Sequence, residues 1–226
     1  MRESLGAAIW DVDGTLVDTA EQHFAAWTQL AAVIDKPFAR RHFQETFGRR
    51  NPEIVRAVFD ANASDAKVAD LGDRKERAYR TAVKRDGVLL LPGVRELLSG
   101  LRAIGWRQAI GSSAPRENLE LILDVTGTRG DFDVIVSAED TTRGKPDPQV
   151  FLVAAERLGV PAGRCVVFED AVAGVQAAKA AGMKCVAVRC NVGHHSTEAL
   201  RACGADGVLE SLEDITAADV RRLVDG

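Results

Sequence analysis

Short apolar runs alternate with stretches of helix length from residue 93 to the C-terminus, and this alternation constrains the fold more than any other feature. The runs are too short for free-standing helices and fit strands that are buried on both faces. Because strand and helix alternate, the pattern predicts an α/β fold with a parallel sheet covered on both sides. The predicted strands are residues 7–12, 106–111, 133–137, 164–168, 184–188 and 207–209, and the predicted helices are residues 115–124, 147–158, 171–181 and 196–203.

The stretch between the first predicted strand and the second interrupts this alternation with helical periodicity alone. Apolar side chains such as Phe24, Trp27 and Ala31 recur at steps of three and four, which places them on one face of a helix. We therefore expect a helical module inserted into the α/β unit. The predicted division is a core domain of residues 1–18 and 88–226 and an inserted helical cap domain of residues 19–87.

Composition narrows the possible partners and the location of the chain. Its 226 residues carry a formal net charge of −4, without the basic footprint that is typical of nucleic-acid binding. No apolar stretch approaches the ~20 residues of a membrane span, and a strand that begins by residue 7 leaves no room for a signal peptide. We therefore expect a cytoplasmic protein that binds neither nucleic acid nor membrane. The C-terminal half has no heptad pattern, and a monomer is expected.

The four cysteines predict no cross-link and no metal site. They form no C-x-x-C pair, and two of them lie in apolar runs that indicate buried strands. Reduced thiols are therefore expected at Cys165, Cys185, Cys190 and Cys203. The neighbouring histidines His194 and His195 are interpreted as a surface feature.

Polar side chains follow several predicted strands at the position where each strand ends. In an open parallel sheet, ligands bind at the carboxyl ends of the strands, where the strand order reverses. Asp11 and Asp13 come two residues apart after the first strand, so their side chains leave on the same side. Gly14 allows a sharp turn behind them, and a simple Asx turn would also explain the group.

Further candidates follow later strands. Glu169 and Asp170 begin a predicted helix, where acids also stabilise the helix dipole and cap free N–H groups. Ser112 and Lys145 follow two other strands, where the first would also fit an N-cap and the second a loop charge. The joint occurrence of carboxylates, a hydroxyl and a lysine at successive strand ends favours one shared site over separate local roles.

A phosphate-transfer centre would use all of these side chains. Oxygen ligands from Asp11, Asp13 and Asp170 suit a hard divalent cation, and Mg²⁺ fits better than zinc because no His or Cys shares the site. The grouped carboxylates would repel a phosphate dianion without that cation and a balancing lysine, for which Lys145 is the candidate. Ser112 offers a hydroxyl to a phosphate oxygen, which leaves one carboxylate to attack phosphorus and a second to move the proton.

Four segments together resemble the motifs of the haloacid dehalogenase superfamily. In chain order they are DVDGT, IGSS, GKPDPQVF and VVFEDAVAGVQAAKAAGM, and the resemblance covers residues 7 to about 190. As a set these motifs are highly specific. The resemblance implies a Rossmann-like parallel-sheet core with a small four-helix-type cap domain inserted between the first strand and its successor.

The resemblance also implies roles for the strand-end residues. Asp11 corresponds to the nucleophile that forms an aspartyl-phosphate, and Asp13 to the general acid/base, whose backbone carbonyl also binds the metal. Family members that cleave carbon–halogen or carbon–phosphorus bonds lack an acid at this position, so Asp13 favours phosphoester chemistry. The implied catalytic residues are Asp11, Asp13, Ser112 and Lys145, and the implied Mg²⁺ ligands are Asp11, Asp13, Asp170 and Glu169, the last as a ligand or as support for one.

The segment DTAEQHFAAW resembles the hinge and first cap helix of beta-phosphoglucomutases and of the sugar phosphatases allied with them. His23 taken alone would equally fit the partly apolar face of a helix. The mutases carry an arginine that grips the second phosphate where this chain has Asn51, so Arg49 or Arg50 would have to replace it. The substrate-binding residues implied by this resemblance are Thr19, His23, Trp27, Gly48, Arg49, Arg50, Lys75, Ser113 and Arg116.

These observations predict an Mg²⁺-dependent phosphatase of a small phosphorylated metabolite, a sugar phosphate in particular, that acts through an aspartyl-phosphate. The alternative is a beta-phosphoglucomutase, which interconverts beta-glucose 1-phosphate and glucose 6-phosphate. The changes at Asn51 and in the segment 113–116 favour the phosphatase. A non-catalytic binding protein on the same fold is disfavoured because Asp11 and Lys145 are both present.

Overall fold

A computed structural model describes residues 6–189 and 196–226, so Cys190 and the pair His194 and His195 lie outside the described residues. Six parallel strands of the described residues form one sheet, which confirms the predicted α/β fold. The strands are β1 (Ala7–Trp10), β2 (Arg107–Gly111), β3 (Val134–Val136), β4 (Cys165–Glu169), β5 (Lys184–Val188) and β6 (Gly207–Leu209).

The strand order β3-β2-β1-β4-β5-β6 places β1 at the centre of the sheet. The chain builds from β1 to β3 on one side and then from β4 to β6 on the other. β1 and β4 are paired along their length, with Ala7 opposite Cys165 and Trp10 opposite Phe168. Because the order reverses beside β1, the carboxyl ends of β1 and β4 form the crevice where sheets of this kind bind ligands.

Helices cover both faces of the sheet and fill the insertion. The four predicted helices are present at residues 116–126, 149–158, 172–180 and 197–202. The helix at residues 217–225 carries no prediction, although its capping box between Thr216 and Asp219 is a start signal in the sequence. The helices of the insertion are α1 (Ala20–Val33), α2 (Arg40–Thr46), α3 (Asn51–Ile54, continued by a π-helical turn Val55–Phe59) and α4 (Asp65–Asp86). The remaining helices are α5 (Val94–Ala103), α6 (Arg116–Thr126), α7 (Gln149–Leu158), α8 (Val172–Ala180), α9 (Thr197–Ala202) and α10 (Ala217–Asp225).

The residues of β1 alternate between two apolar clusters, one on each face of the sheet. Ala8 and Trp10 belong to the cluster shared with α5, α6 and α10, and Trp10 stacks on Phe168 with ring centroids 4.2 Å apart. Ala7 and Ile9 belong to the cluster shared with α7, α8 and α9. Because both faces of β1 are buried, its position is fixed, and so is the position of the residues that follow it.

The insertion has an apolar cluster of its own. Trp27, Leu30, Phe43, Val55 and Phe59 are all buried in it, and α1 packs along α4. The predicted helical cap is therefore confirmed. The division of the chain between residues 18 and 19 and between residues 87 and 88 stays a prediction.

Two expectations from composition can be compared with the structure. Cys165, Cys185 and Cys203 are free thiols, and the first two are buried. Within the described ranges, no helix combines the length and the apolar character that a bilayer crossing requires. The expected cytoplasmic location and the expected monomeric state stay predictions.

Two helical glycines predict opposite effects of the same substitution. A Cβ at Gly174 in α8 would lie 1.8 Å from Oε1 of Glu169, whereas a Cβ at Gly72 in α4 would meet Asn51 at an ordinary 3.5 Å. Gly174→Ala should therefore lower the free energy of unfolding by about 2 kcal/mol or more through overpacking. Gly72→Ala should raise it by up to about 1 kcal/mol through helix propensity. Urea unfolding followed by circular dichroism measures both, and equal effects would contradict this account.

Candidate active site

Asp11 lies at the carboxyl end of the central strand, directly after Trp10. Its backbone N–H donates to the carbonyl oxygen of Phe168 at 3.0 Å, which extends the pairing of β1 with β4 by one step. The strand β4 ends at Glu169, and Asp170 follows it. The acids predicted after two different strands therefore meet at one edge of the sheet.

Gly14 makes this meeting possible. It has a positive φ of 89° in the turn after β1, a conformation that side chains rarely adopt. A Cβ at this position would also lie 2.2 Å from Oδ2 of Asp170. The glycine of the DVDGT motif is therefore required twice, once by the turn and once by the close approach of Asp170.

Lys145 joins the two strand ends electrostatically. Its Nζ donates to Oδ1 of Asp11 and to Oε1 of Glu169, each at 2.7 Å, and the lysine is only 5% exposed. Burial alone would lower the pKa of Lys145, but the carboxylates of Asp11 and Glu169 raise it above its ordinary value. Lys145 is therefore a buried cation held between two acids.

Glu169 has both carboxylate oxygens engaged by protein donors. Oε1 accepts from Lys145, and Oε2 accepts from the backbone N–H groups of Asp170 and Ala171, each at 2.8 Å. Gly174 leaves room for this carboxylate against α8. Of the two roles predicted for Glu169, these contacts favour the supporting role over that of a metal ligand.

The surroundings of Asp11 and Asp170 do not fully compensate the negative charge of these two carboxylates. Burial raises the pKa of Asp11 to about 7, with Lys145 opposing this shift and Glu169 adding to it. Burial, together with Glu169 and Asp11, also raises the pKa of Asp170 well above its ordinary value. Among the described residues, the buried Oδ2 of Asp170 has no hydrogen-bond partner. An additional cation between these carboxylates would lower both pKa values and give Oδ2 of Asp170 a partner.

The donor set fits an Mg²⁺ site in which the ion keeps several of its water ligands. Mg²⁺ is usually bound by one or two carboxylates together with water and substrate phosphate, and Asp11 and Asp170 supply two. In the described part of the chain, no group of three or more His, Cys, Asp or Glu side chains is arranged to hold an ion alone. Any further ligands would therefore come from backbone carbonyls, water or a bound anion.

Asp13 is held from the cap side. The Thr19 hydroxyl donates to its Oδ1, His23 Nε2 lies 3.2 Å from the same oxygen, and the Tyr79 hydroxyl donates to it at 3.4 Å. Burial alone would raise the pKa of Asp13, but His23, Thr19 and Lys75 outweigh it and lower the pKa to about 2. Asp13 is therefore a carboxylate in this arrangement.

His23 is fixed between the cap helices α1 and α4. Its ring stacks on that of Tyr79 with centroids 3.9 Å apart, and its Nδ1 lies 2.7 Å from Lys75 Nζ. Because an ammonium group only donates hydrogen bonds, Nδ1 accepts from Lys75 and the proton of the ring is on Nε2, facing Asp13. Lys75 thus acts on Asp13 through the imidazole.

Glu76 and Asn118 are site residues that the sequence analysis missed. Oε1 of Glu76 accepts from Lys75 at 2.9 Å and from Asn51 at 2.7 Å, and Oε2 accepts from Nδ2 of Asn118 at 2.6 Å. Burial alone would raise the pKa of Glu76, but Lys75 and His23 lower it. Asn118 belongs to α6 of the core, so this buried bridge joins cap and core. In the sequence, Glu76 stands in a highly charged helix and resembles a solvated residue.

A cavity between the sheet edge and the cap collects most of the predicted site residues. Arg49 and Asn51 both line it. Ser112 lines it at the end of β2, with its Oγ accepting from the backbone N–H of Ala114 at 3.2 Å. The predicted residues that line the cavity are Asp11, Asp13, His23, Trp27, Gly48, Arg49, Lys75, Ser112, Ser113, Lys145, Glu169 and Asp170.

Three predicted substrate-binding residues do not line this cavity. Thr19 is fully buried behind Asp13 and donates to it. Arg50 donates to Thr141 of the core. The guanidinium of Arg116 donates to Oδ2 of Asp140 at 2.5 Å and to the carbonyl oxygen of Ile135 at 3.2 Å. Arg50 and Arg116 are engaged by protein groups away from Asp11, Asp13 and Asp170, whereas Thr19 contacts Asp13 from behind and does not face the cavity.

The arrangement brings four kinds of functional group together at one point. Asp11 is a carboxylate at the floor of the cavity, and Lys145 supplies a positive charge beside it. Asp13 lies on the cap side with proton-carrying partners, and the pair Asp11 and Asp170 offers oxygen atoms to a cation. Such a site can bind an anion, attack it with a carboxylate and move a proton to or from the bound group.

Two relatives of this chain have names that state different activities. The chain is 34% identical over 216 residues to the beta-phosphoglucomutase of Bacillus subtilis (strain 168), with 93% of this chain and 91% of the relative covered. It is 35% identical over 191 residues to the fructose-1-phosphate phosphatase YqaB of Escherichia coli (strain K12), with 84% of this chain and 99% of the relative covered.

A solved structure shares both the fold and the insertion. The match is to a mutant of CbbY from Rhodobacter sphaeroides in complex with xylulose-(1,5)bisphosphate, with a TM-score of 0.82 and 26% identity. The alignment covers 92% of this chain and 95% of that chain. The cap and the sheet thus occur together in a protein of similar size.

A sequence model described as haloacid dehalogenase-like hydrolase matches residues 5–182. This span contains the strand-end residues from Asp11 to Asp170. Together with the named relatives, the match confirms the predicted enzyme class, a phosphoric monoester hydrolase or a related phosphotransferase. The chain belongs to the haloacid dehalogenase-like hydrolase family.

Proposed function

We propose that the chain is an Mg²⁺-dependent phosphatase of small phosphorylated metabolites, sugar phosphates in particular, which acts through an aspartyl-phosphate on Asp11. The observation that carries the proposal is the buried Lys145, 2.7 Å from both Asp11 and Glu169. Beside it, Oδ2 of Asp170 has no hydrogen-bond partner among the described residues. A divalent cation and a phosphate dianion would complete this distribution of charge. The name of the relative YqaB, a fructose-1-phosphate phosphatase, supports a sugar phosphate as the substrate.

The proposed metal ligands are the carboxylates of Asp11 and Asp170 and the backbone carbonyl of Asp13. Glu169 supports them by holding Lys145 and by accepting from the N–H of Asp170 at 2.8 Å. When bound, the cation supplies positive charge to the phosphate oxygens, which two carboxylates would otherwise repel. The family to which the chain belongs supports this assignment.

The proposed reaction has two displacements at phosphorus. In the first, a carboxylate oxygen of Asp11 attacks phosphorus, a bond from phosphorus to Asp11 forms, and the bond from phosphorus to the ester oxygen breaks. In the second, water attacks the aspartyl-phosphate, the bond to Asp11 breaks, and inorganic phosphate leaves. Ser112 and Lys145 bind phosphoryl oxygens in both steps, because both side chains line the cavity beside Asp11.

Asp13 carries the proton in this scheme. It gives a proton to the departing ester oxygen and takes one from the attacking water. The contacts of Asp13 with Thr19, His23 and Tyr79 stabilise its carboxylate form. These contacts therefore favour the form of Asp13 that can accept a proton from the attacking water.

A beta-phosphoglucomutase is the second candidate, and the 34% identity with the Bacillus subtilis mutase favours it. A mutase must hold a second phosphate at the far end of its cavity. Asn51, at the position of the mutase arginine, donates to the carboxylate of Glu76 at 2.7 Å, and Arg50 donates to Thr141. Arg49 remains as a cation on the cavity wall. A neutral amide bound to a carboxylate is a poorer phosphate site than an arginine, so the phosphatase is favoured.

One assay separates the two candidates. The enzyme is incubated with Mg²⁺, beta-glucose 1-phosphate and a trace of the 1,6-bisphosphate, and both glucose 6-phosphate and inorganic phosphate are measured. A phosphatase should release inorganic phosphate, and EDTA should abolish the release until Mg²⁺ is restored. Glucose 6-phosphate without phosphate release would establish the mutase instead, and turnover that persists in EDTA would refute the metal assignment.

Substitution of the proposed nucleophile should abolish turnover and leave the fold intact. Asp11→Asn removes the attacking carboxylate but keeps its shape, so hydrolysis of an aryl phosphate should fall by about 1,000-fold or more. The matched control is Asp18→Asn in the same segment. Asp18 is exposed, and its Oδ1 accepts a hydrogen bond from the backbone N–H of Ala20 at 3.3 Å. Its rate should stay within about twofold of the wild type. Melting curves of both variants verify folding, and a folded Asp11→Asn enzyme that keeps its activity would exclude Asp11 as the nucleophile.

The proposed role of Asp13 predicts a dependence on the leaving group. Asp13→Asn cannot donate a proton, so hydrolysis of an alkyl phosphate such as a sugar phosphate should fall by about 100-fold or more. Hydrolysis of 4-nitrophenyl phosphate should fall much less, because its leaving group is stable without a proton. Steady-state kinetics with both esters measure this contrast, and an equal loss for the two would argue against proton transfer by Asp13.

A further inference from the structure

Arg50 makes a direct contact between the cap and the core. It lies in the loop between α2 and α3, and its Nη1 donates to the carbonyl oxygen of Thr141 at 3.1 Å. Its Nη2 donates to the Thr141 hydroxyl. These two donors, 91 residues away in sequence from their acceptors, hold the cap loop against the loop that follows β3.

Gly144 provides the space for this contact. A Cβ at Gly144 would lie 3.0 Å from both Cδ and Nε of Arg50 and 3.1 Å from Oε1 of Glu53. The end of the Arg50 side chain is fixed by Thr141, so it cannot turn aside without losing its hydrogen bonds. The absence of a side chain at position 144 therefore lets the cap pack directly on the backbone of the core loop.

The loop that Arg50 holds is the loop that carries Lys145. Three residues separate Thr141 from Lys145, whose Nζ contacts Asp11 and Glu169. A further anchor of the loop is Gln149 at the start of α7, whose Oε1 accepts from the backbone N–H groups of Thr142 and Arg143, each at 3.0 Å. Movement at Thr141 would therefore be transmitted to Lys145 within one short loop.

We propose that Arg50 is a positioning residue, and that its contact with Thr141, the cap latch, couples the seating of the cap to the placement of Lys145. This inference rests on the proposed function for its effect on turnover. It also explains why the two neighbouring arginines of the segment FGRRN, residues 47–51, have different roles. Arg49 lines the cavity, whereas Arg50 holds the loop that supplies the cavity with its buried cation.

The kinetic test compares Arg50→Ala and Arg50→Lys with Arg56→Ala. Arg56 is a matched control because it is a cap arginine whose partner, Asp65 at 2.5 Å, also belongs to the cap. Arg50→Ala should lower kcat for 4-nitrophenyl phosphate by about tenfold with a smaller change in KM, as expected for the loss of charged hydrogen bonds that position a catalytic group. Arg50→Lys should recover part of this loss, and Arg56→Ala should keep the wild-type kcat. An unchanged kcat with a raised KM would instead assign Arg50 to substrate binding and overturn the latch.

A double-mutant cycle tests the contact itself. In the wild-type background, Gly144→Ala should lower kcat because the new methyl group displaces Arg50. In the Arg50→Ala background, the same substitution should have a much smaller effect, because Cδ and Nε are no longer present and the new methyl group meets only the end of the flexible Glu53 side chain. Non-additivity of this kind supports the latch. Fully additive effects would contradict it.

Hydrogen exchange tests the latch without any activity. The amides of Thr142 and Arg143 donate to Gln149, so their exchange reports the order of the loop. Arg50→Ala should accelerate exchange in a peptide spanning residues 138–148, and Arg56→Ala should not. Equal exchange in the two variants would refute the latch. A wild-type enzyme that hydrolyses no phosphate ester would refute the proposed function, while the exchange contrast would still decide the latch.

Discussion

The site depends on one buried cation, the ammonium group of Lys145. A buried charge is tolerated only when it is paired, and Lys145 is paired with two acids that come from different strand ends. The strand order makes this pairing possible, because β1 and β4 are neighbours although more than 150 residues separate them. Without the lysine, the same fold would bring Asp11, Glu169 and Asp170 together without the ammonium group that offsets part of their repulsion.

The close packing of these acids explains the glycines in the motifs. Gly14 and Gly174 are the positions where a Cβ would approach Asp170 and Glu169 to 2.2 Å and 1.8 Å. Each carboxylate therefore occupies the space of a missing side chain. The motifs DVDGT and VVFEDAVAG combine acids with glycines because crowded carboxylates need backbone that can approach them.

The core of the site could be predicted from the sequence, and the cap side could be predicted only in part. Residues that follow parallel strands converge at one edge of the sheet. The prediction of Asp11, Ser112 and Lys145 as site residues therefore required only that the strands be identified from the alternation of strand and helix. The bridge from Glu76 to Asn118 required the orientation of α4 on α6, which no periodicity encodes. The engagement of Arg50 required knowledge of which loop faces the cap. Long polar side chains in charged segments have many possible partners, and only the packing of the two units selects one.

The contacts of Asp13 join the core side and the cap side into one candidate site. Asp13 belongs to the core motif, but His23 and Tyr79, which stabilise its carboxylate, come from cap helices α1 and α4. Lys75 polarises His23, and Glu76 in turn holds Lys75 and reaches back to Asn118 in the core. This chain of hydrogen bonds therefore leaves the core at Asp13 and returns to it at Asn118. Because the partners of Asp13 are supplied by the cap, the proton affinity of this carboxyl is set by the same element that lines the cavity, and the proposed proton transfer would depend on the packing that encloses the cavity.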